Sequence, residues 1–236
     1  MKLLVQFPTF NRPRKFVDCL GQYVETCSEK NQIFFNINCD LQDLTMTDPT
    51  VIKEIEYILN KKDNVDGKIW FDKNTEKISA INDHIEHADF DIVICASDDM
   101  IPKAWYWDVE IVNAMNQHFP DLDGCVHFND GNTNGELITF SILGRKLYEH
   151  FGYIYHPDYK SLYCDDEFTQ EVKRMGKEKY IDKVIISHEH YSVRGSQNDG
   201  DLDLATKKTL VYSGRDQQIF NTRKKLGFPK ARITKD

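Results

Sequence analysis

An α/β chain built on an open, mostly parallel sheet is what this sequence predicts, and three observations predict it. Short apolar runs alternate with longer segments of helical apolar spacing through roughly the first hundred residues. The run DIVICA (91–96) stays apolar after its first residue, as a strand covered on both faces does. Polar and charged clusters follow the apolar runs directly, where the carboxyl ends of parallel strands would lie.

KLLVQF (2–7) reads as the first strand. Pro13 opens a helix whose Phe16, Cys19, Leu20, Tyr23, Val24 and Cys27 share one face. IFFNINC (33–39) is the second strand. Asp48-Pro49 supplies an N-cap and a first-turn proline, and Ile52, Ile55, Ile58 and Leu59 mark the helix that follows. KIWF (68–71) is the third strand; Ile78, Ile81, Ile85 and Ala88 define the next helix, and DIVICA is the fourth strand. This β-α-β-α-β-α-β order places helices on both sheet faces. Beyond residue 100 the pattern loosens. A helix is expected from about Pro102, strands at 124–128 and 137–143, and helices near 145–151 and 165–175. A strand at 184–187 and a terminal helix from roughly 215 to 226 complete the chain, read as one domain over 1–236.

Composition narrows the function. The chain has 236 residues, 40% of them apolar, enough for a sizeable core. A net charge of −8 argues against a chain-wide basic surface for nucleic acid. One local exception exists: residues 213–236 carry Arg215, Arg223, Lys224, Lys225, Lys230, Arg232 and Lys235 against only Asp216 and Asp236. Six scattered cysteines with no CxxC pair fit buried free thiols in a reducing compartment. The apolar run before Pro8 is too short for a signal peptide or a membrane span, so a cytoplasmic protein is expected.

Four polar clusters fall at the expected strand ends: PTFNRP (8–13), Asp40, DKNTEK (72–77) and Ser97-Asp98-Asp99. One crevice could gather Thr9, Asn11, Arg12, Asp40, Lys77, Asp98 and Asp99. Adjacent carboxylates after a buried strand repel each other, and either solvent or a cation must relieve them. His84 and His87 lie off the apolar face of their helix and read as exposed. Among Trp105, Tyr106 and Trp107, one or two could face the cleft, with core packing the commoner role.

The run from PTFNRPRKF through NTEKISAIND to IVICASDDMIP resembles the nucleotide-sugar half of family 2 glycosyltransferases with the GT-A fold. SLYCDDEFTQEVKRMGK (161–177) resembles that family's Glu-Asp motif, and VIISHEHYS (184–192) its strand ending in His-Glu. The resemblance covers residues 1 to about 192, and the chain looks like short bacteriophage members. It implies a nucleotide-sugar half (1–100), an acceptor and catalytic half (101–212) and a basic C-terminal helix and tail (213–236). Pro8, Thr9, Asn11, Arg12, Asp40, Lys77, Asn82 and Ser97 would then hold the donor. Asp98 would bind the ribose hydroxyls, directly or through the ion, and Asp99 would bind Mn²⁺ or Mg²⁺. Ser97 stands where the family often has its first aspartate, which leaves open which carboxylate is the main ligand. His188 would be the third ligand, with His190 as fallback. Asp166 would be the general base of an inverting transfer, flanked by Asp165. HFNDGN (127–132), GYIYHPDY (152–159) and Trp107 fall on the acceptor side, and Arg223 in the basic tail could close over the pyrophosphate or grip a polyanion.

The implied donor is a nucleotide-diphosphate sugar, UDP-linked by expectation. The acceptor could be a glycan, a protein, a small molecule or a hydroxylated base in DNA. Two other classes compete. A sugar-1-phosphate nucleotidyltransferase needs a Gly-rich loop after the first strand, and PTFNRP has no glycine. A non-catalytic module binding a nucleotide or nucleic acid through the basic tail would leave the acidic rim dispensable.

Overall fold

The computed structural model describes residues 1–73, 76–189 and 203–231. Strands β1 (Lys2–Thr9), β2 (Gln32–Asp40), β3 (Val65–Asp72), β4 (Ile92–Cys95), β6 (Cys125–Phe128), β7 (Ile142–Gly144) and β8 (Glu178–Ile181) form one sheet in the order β3-β2-β1-β4-β7-β6-β8. The first four are parallel; β7 runs antiparallel to both β4 and β6, and β8 is parallel to β6. A separate two-stranded ribbon pairs β5 (Met100–Pro102) with β9 (Ile186–His188). The helices are α1 (Pro13–Thr26), α2 (Pro49–Leu59), α3 (Lys77–Asn82), α4 (Trp107–His118), α5 (Arg145–Phe151), α6 (Cys164–Arg174), α7 (Leu204–Leu210) and α8 (Ser213–Lys225).

Alternation along β1 explains the two layers. Leu3, Val5 and Phe7 point into a core shared with α1, α2 and α4. Leu4 points the other way, into a core built with α3, α5 and α6. β4 is buried along its whole length, so its unbroken apolar run serves both layers. Asp48 caps α2 by accepting from the Thr50 amide at 2.7 Å, with Pro49 at the first position. Gly176 ends α6 with φ +65°. All six cysteines are free and buried, and burial pushes the thiols of Cys39, Cys95 and Cys125 up to about 12. Among the described residues no helix is long and apolar enough to cross a membrane.

Several expected elements are redrawn. The helix expected over Ile78–Ala88 breaks after Asn82. The Asp83 carbonyl accepts from buried Gln6 (2.7 Å) and Asn36 (3.4 Å), and His84 takes a left-handed conformation with φ 63°. Pro102 ends β5 instead of opening a helix, and α4 starts five residues later, after left-handed Tyr106. The strand expected at 137–143 shrinks to β7, because the Ile138 amide bonds Thr169 Oγ1 of α6 instead of a neighbouring strand. β8 and α7 have no counterpart in the expected order.

Candidate active site

A cavity of about 470 Å³ opens at the carboxyl ends of β1, β2 and β4. Its floor takes Thr9 from β1, Asn38 and Asp40 from β2, and Ser97, Asp98 and Asp99 from the turn after β4. Thr9 Oγ1 and both polar side-chain atoms of Asn38 are buried without a hydrogen-bond partner among the described residues. Polar atoms orphaned at a cavity wall are normally satisfied by water or by a ligand.

Asp98 is 4% exposed and faces two cations, Arg12 Nη1 at 3.0 Å and Lys15 Nζ at 3.3 Å. Burial pushes its carboxyl above the usual range, and Arg12 and Lys15 oppose that shift. Arg12 also donates to both carboxylate oxygens of Asp203 (2.6 and 2.8 Å) and to Thr206 Oγ1 at 2.7 Å. Asp40 accepts from Lys208 Nζ at 3.0 Å, and Lys208 lies 4.0 Å from the centroid of the Phe10 ring. Helix α7 therefore lies over the cavity with its polar side chains set against β1 and β2.

Asp99 meets His188 because of the ribbon. Pairing of Met100 with His188 fixes the register, and the Glu189 amide donates to the Asp99 carbonyl at 2.7 Å. His188 Nε2 comes to 3.6 Å from Asp99 Oδ1, and Ser97 Oγ donates to the same oxygen. Burial alone would raise the Asp99 carboxyl. His188, the Ser97 hydrogen bond and Lys15 overcome it and hold the group ionised well below the usual carboxylate range. An ionised carboxylate beside an imidazole is a donor set that Mn²⁺ accepts, and Mg²⁺ would rely chiefly on the oxygen.

Opposite this pair, α6 places Asp165 in the cavity wall. Its carboxylate accepts from the Asp166 amide at 3.1 Å, and Lys77 at the start of α3 lines the same cavity. Burial raises the Asp165 carboxyl, against the nearby Lys77 charge. Burial and the neighbouring Asp165 raise Asp166.

The structure gathers Pro8, Thr9, Arg12, Asp40, Lys77, Ser97, Asp98, Asp99, Asp165 and His188 around this one cavity. Five expected site residues do not line it. Asn11 takes a left-handed conformation with φ 55°, and its backbone N–H donates to the Asp43 carboxylate. The Asn82 side chain brackets the 154–155 backbone, accepting from Ile154 and Tyr155 amides (2.9 and 3.2 Å) and donating to the Tyr155 carbonyl at 2.7 Å. Trp107 is fully buried in the core, with its indole N–H on the Tyr23 carbonyl at 3.0 Å. Arg223 is drawn inward by Glu167, with two bonds of 2.8 Å, and by Asp158 at 3.2 Å. Asp166 sits one position round the helix from the lining residue Asp165. His190 lies outside the described residues. His87 is exposed as expected, whereas His84 is half-buried; both stack against Trp70, and His84 Nε2 bonds Asp72 Oδ2 at 2.7 Å.

Five contributors went unread. Lys15 stands one helical turn after Arg12, so the spacing at the start of α1 carried its signal. Lys160 follows the loop GYIYHPDY directly, and Asp203, Thr206 and Lys208 belong to the cap and body of α7, where Thr206 is the one buried position.

No family profile matches the chain, and no curated protein matches it either. The solved structures do. The architecture is that of the GT-A glycosyltransferases, a Rossmann-like fold with a mostly parallel seven-stranded sheet. Three examples fix the degree of likeness. The mannosyltransferase PcManGT from Pyrobaculum calidifontis, solved with GDP-Man and Mn²⁺, matches over 80% of this chain and 56% of its own, with TM-score 0.60 and 15% identity. S. aureus TarS with UDP-GlcNAc matches over 79% of this chain and 58% of its own, with TM-score 0.59 and 17% identity. Glucosyl-3-phosphoglycerate synthase from Mycobacterium tuberculosis, with Mg²⁺ and UDP, matches over 82% and 73%, with TM-score 0.55 and 8% identity. The chain thus spans less than two thirds of the first two structures.

Proposed function

We propose that the chain is an inverting, metal-dependent glycosyltransferase that moves a sugar from a nucleotide-diphosphate donor, UDP-linked in our reading, to an acceptor hydroxyl. The observation that carries this reading is the meeting of Asp99, His188 and Asp165 around one cavity, with Arg12 and Lys15 beside the acidic pair.

Asp99 and His188 are the residues that would hold Mn²⁺ or Mg²⁺. When bound, the ion supplies positive charge against the diphosphate that leaves. Asp98, oriented by Arg12 and Lys15, takes the ribose hydroxyls. Asn38, Thr9 and Asp40 face the donor with unpaired or exchangeable polar groups. Asp165 replaces Asp166 as the proposed general base. The acceptor oxygen attacks the anomeric carbon from the face opposite the diphosphate. The bond from that carbon to the phosphate oxygen breaks as the new glycosidic bond forms, and the hydroxyl proton passes to Asp165. The Lys77 charge opposes the burial that raises the Asp165 carboxyl.

For the acceptor we favour a glycan or small polyol over DNA. Arg215 and Arg223, two cations of the basic segment, are spent on Asp216, Glu167 and Asp158. The nucleotidyltransferase reading gains no support from the loop after β1. The test is a thermal-shift and UDP-release screen of nucleotide-diphosphate sugars with and without Mn²⁺, followed by NMR of the product's anomeric configuration. Metal-dependent stabilisation by one donor and inversion in the product are expected. Indifference to every nucleotide diphosphate with either ion would refute the reading.

A further inference from the structure

A second group of metal-type ligands lies where α3 breaks, and none of its members lines the cavity. His84, Glu86 and His87 each offer a ligand atom, and these atoms all lie within 4.8 Å of one another.

The position of His84 is built, not incidental. The carbonyl before it is held by Gln6 and Asn36, two buried amides projecting from the sheet. Asn36 also accepts from the Trp70 indole N–H at 2.5 Å. The His84 ring stacks on Trp70 with centroids 4.0 Å apart and planes 4° from parallel, and Lys68 Nζ lies 3.5 Å from the centroid of the same indole. A histidine at φ 63° costs backbone strain, of order 1 kcal/mol, which persists only where surrounding contacts enforce it. Here they do, and they hold one imidazole in a fixed orientation at the surface.

Asp72 completes the arrangement. It bonds His84 Nε2 at 2.7 Å, which leaves Nδ1 as the nitrogen available for an ion. A carboxylate on the far nitrogen is the usual outer partner of a metal-bound histidine, fixing its tautomer and raising its basicity. His87 Nε2 already lies 3.4 Å from Glu86 Oε1. Ligand bonds of about 2.0–2.1 Å put tetrahedral donors roughly 3.4 Å apart, so the three atoms must draw in slightly. The His87 and Glu86 side chains are 57% and 69% exposed, and can swing to do so.

We propose that His84, Glu86 and His87 form a site for a borderline transition ion of the Zn²⁺ class, with Asp72 orienting His84. Two imidazoles and one carboxylate select Zn²⁺, Ni²⁺ or Cu²⁺ over Mg²⁺. Three protein ligands leave one position for water. The ion closes the turn after α3, which the Asp72–His84 hydrogen bond ties to the β3 edge of the sheet. This site is independent of the donor cavity and of the reading given to that cavity.

The test uses the full chain with excess Mg²⁺ present, titrated with Zn²⁺ against a competing chelator. One Zn²⁺ equivalent is expected, retained in Asp99→Ala. It is expected to be lost in the His84→Asn, His87→Gln double variant, where asparagine tolerates the left-handed backbone. Asp72→Asn should weaken it about 10–100-fold. Glu86→Gln changes an exposed side chain, so reduced Zn²⁺ affinity in that folded variant supports the site even if the double variant misfolds. Cu²⁺ should quench a fluorescence component that Trp70→Phe removes. Undiminished Zn²⁺ affinity in both the double variant and Glu86→Gln, loss of all Zn²⁺ binding in Asp99→Ala, or quenching unchanged in Trp70→Phe would each overturn the proposal.

Discussion

Asp98 and Asp99 show how two neighbouring carboxylates acquire opposite characters. Asp98 is deeply buried and pushed toward neutrality, while Asp99 is kept ionised by His188 and Ser97. Asp99→Ala should therefore cost at least ~100-fold in Mn²⁺-dependent affinity for a nucleotide diphosphate, about 3 kcal/mol, measured by calorimetry. Unchanged affinity would remove Asp99 from the ion's site. The base is tested by a pair of variants. Asp165→Asn should lower single-turnover transfer about 10²–10⁴-fold with donor binding intact, and Asp166→Asn should stay close to wild type. The reverse ranking would return the role to Asp166. The acidic pair after β4 was legible because it follows a buried run directly. Which of Asp165 and Asp166 lines the cavity was not. One residue along a helix is a rotation of about 100°, and the phase of α6 is set by left-handed Tyr163, which no local pattern announces.

At the scale of elements, what the sequence displayed was periodicity, and elements without it went unseen. β8 is a four-residue edge strand, EKYI, with charged positions and no fully buried residue. α7 has Thr206 as its only buried position. Its stability rests on Asp203, which caps the helix through the Thr206 amide at 2.8 Å and grips Arg12. Asp203→Ala should remove about 0.5–2 kcal/mol of cap energy, raising amide exchange in 204–210 several-fold while β1 stays protected. Unaltered exchange there would mean that other contacts hold α7. The break in α3 was equally hidden. Its cause is a hydrogen bond from Gln6, more than seventy residues away in sequence.

For the whole molecule, Arg223 of the C-terminal segment belongs to the scaffold, while Lys224 and Lys225 stay exposed. Arg223 is 7% exposed and joins α8 to α6 through Glu167. Arg223→Ala leaves Glu167 buried and uncompensated, and should cost about 3–5 kcal/mol in urea unfolding. A loss under 1 kcal/mol would restore a surface role for this residue. The basic count of the tail was legible; the inward pairing of Arg223 was not, because charge composition says nothing of which partners the fold supplies. The parallel half was read well because each strand and helix there carries its own pattern, and their shared rim follows from topology. The two-layer build has a further consequence. Arg12 and Lys15 ride on α1, whose Cys19 Sγ meets the Met100 carbonyl of the ribbon at 3.4 Å, so the ribbon with Asp99 and His188 belongs to the same leaf. Asp165 rides on α6, in the opposite leaf. Strands β1 and β4 send side chains into both leaves, so the proposed base and the proposed ion ligands are held in one spatial relation by the strands between them.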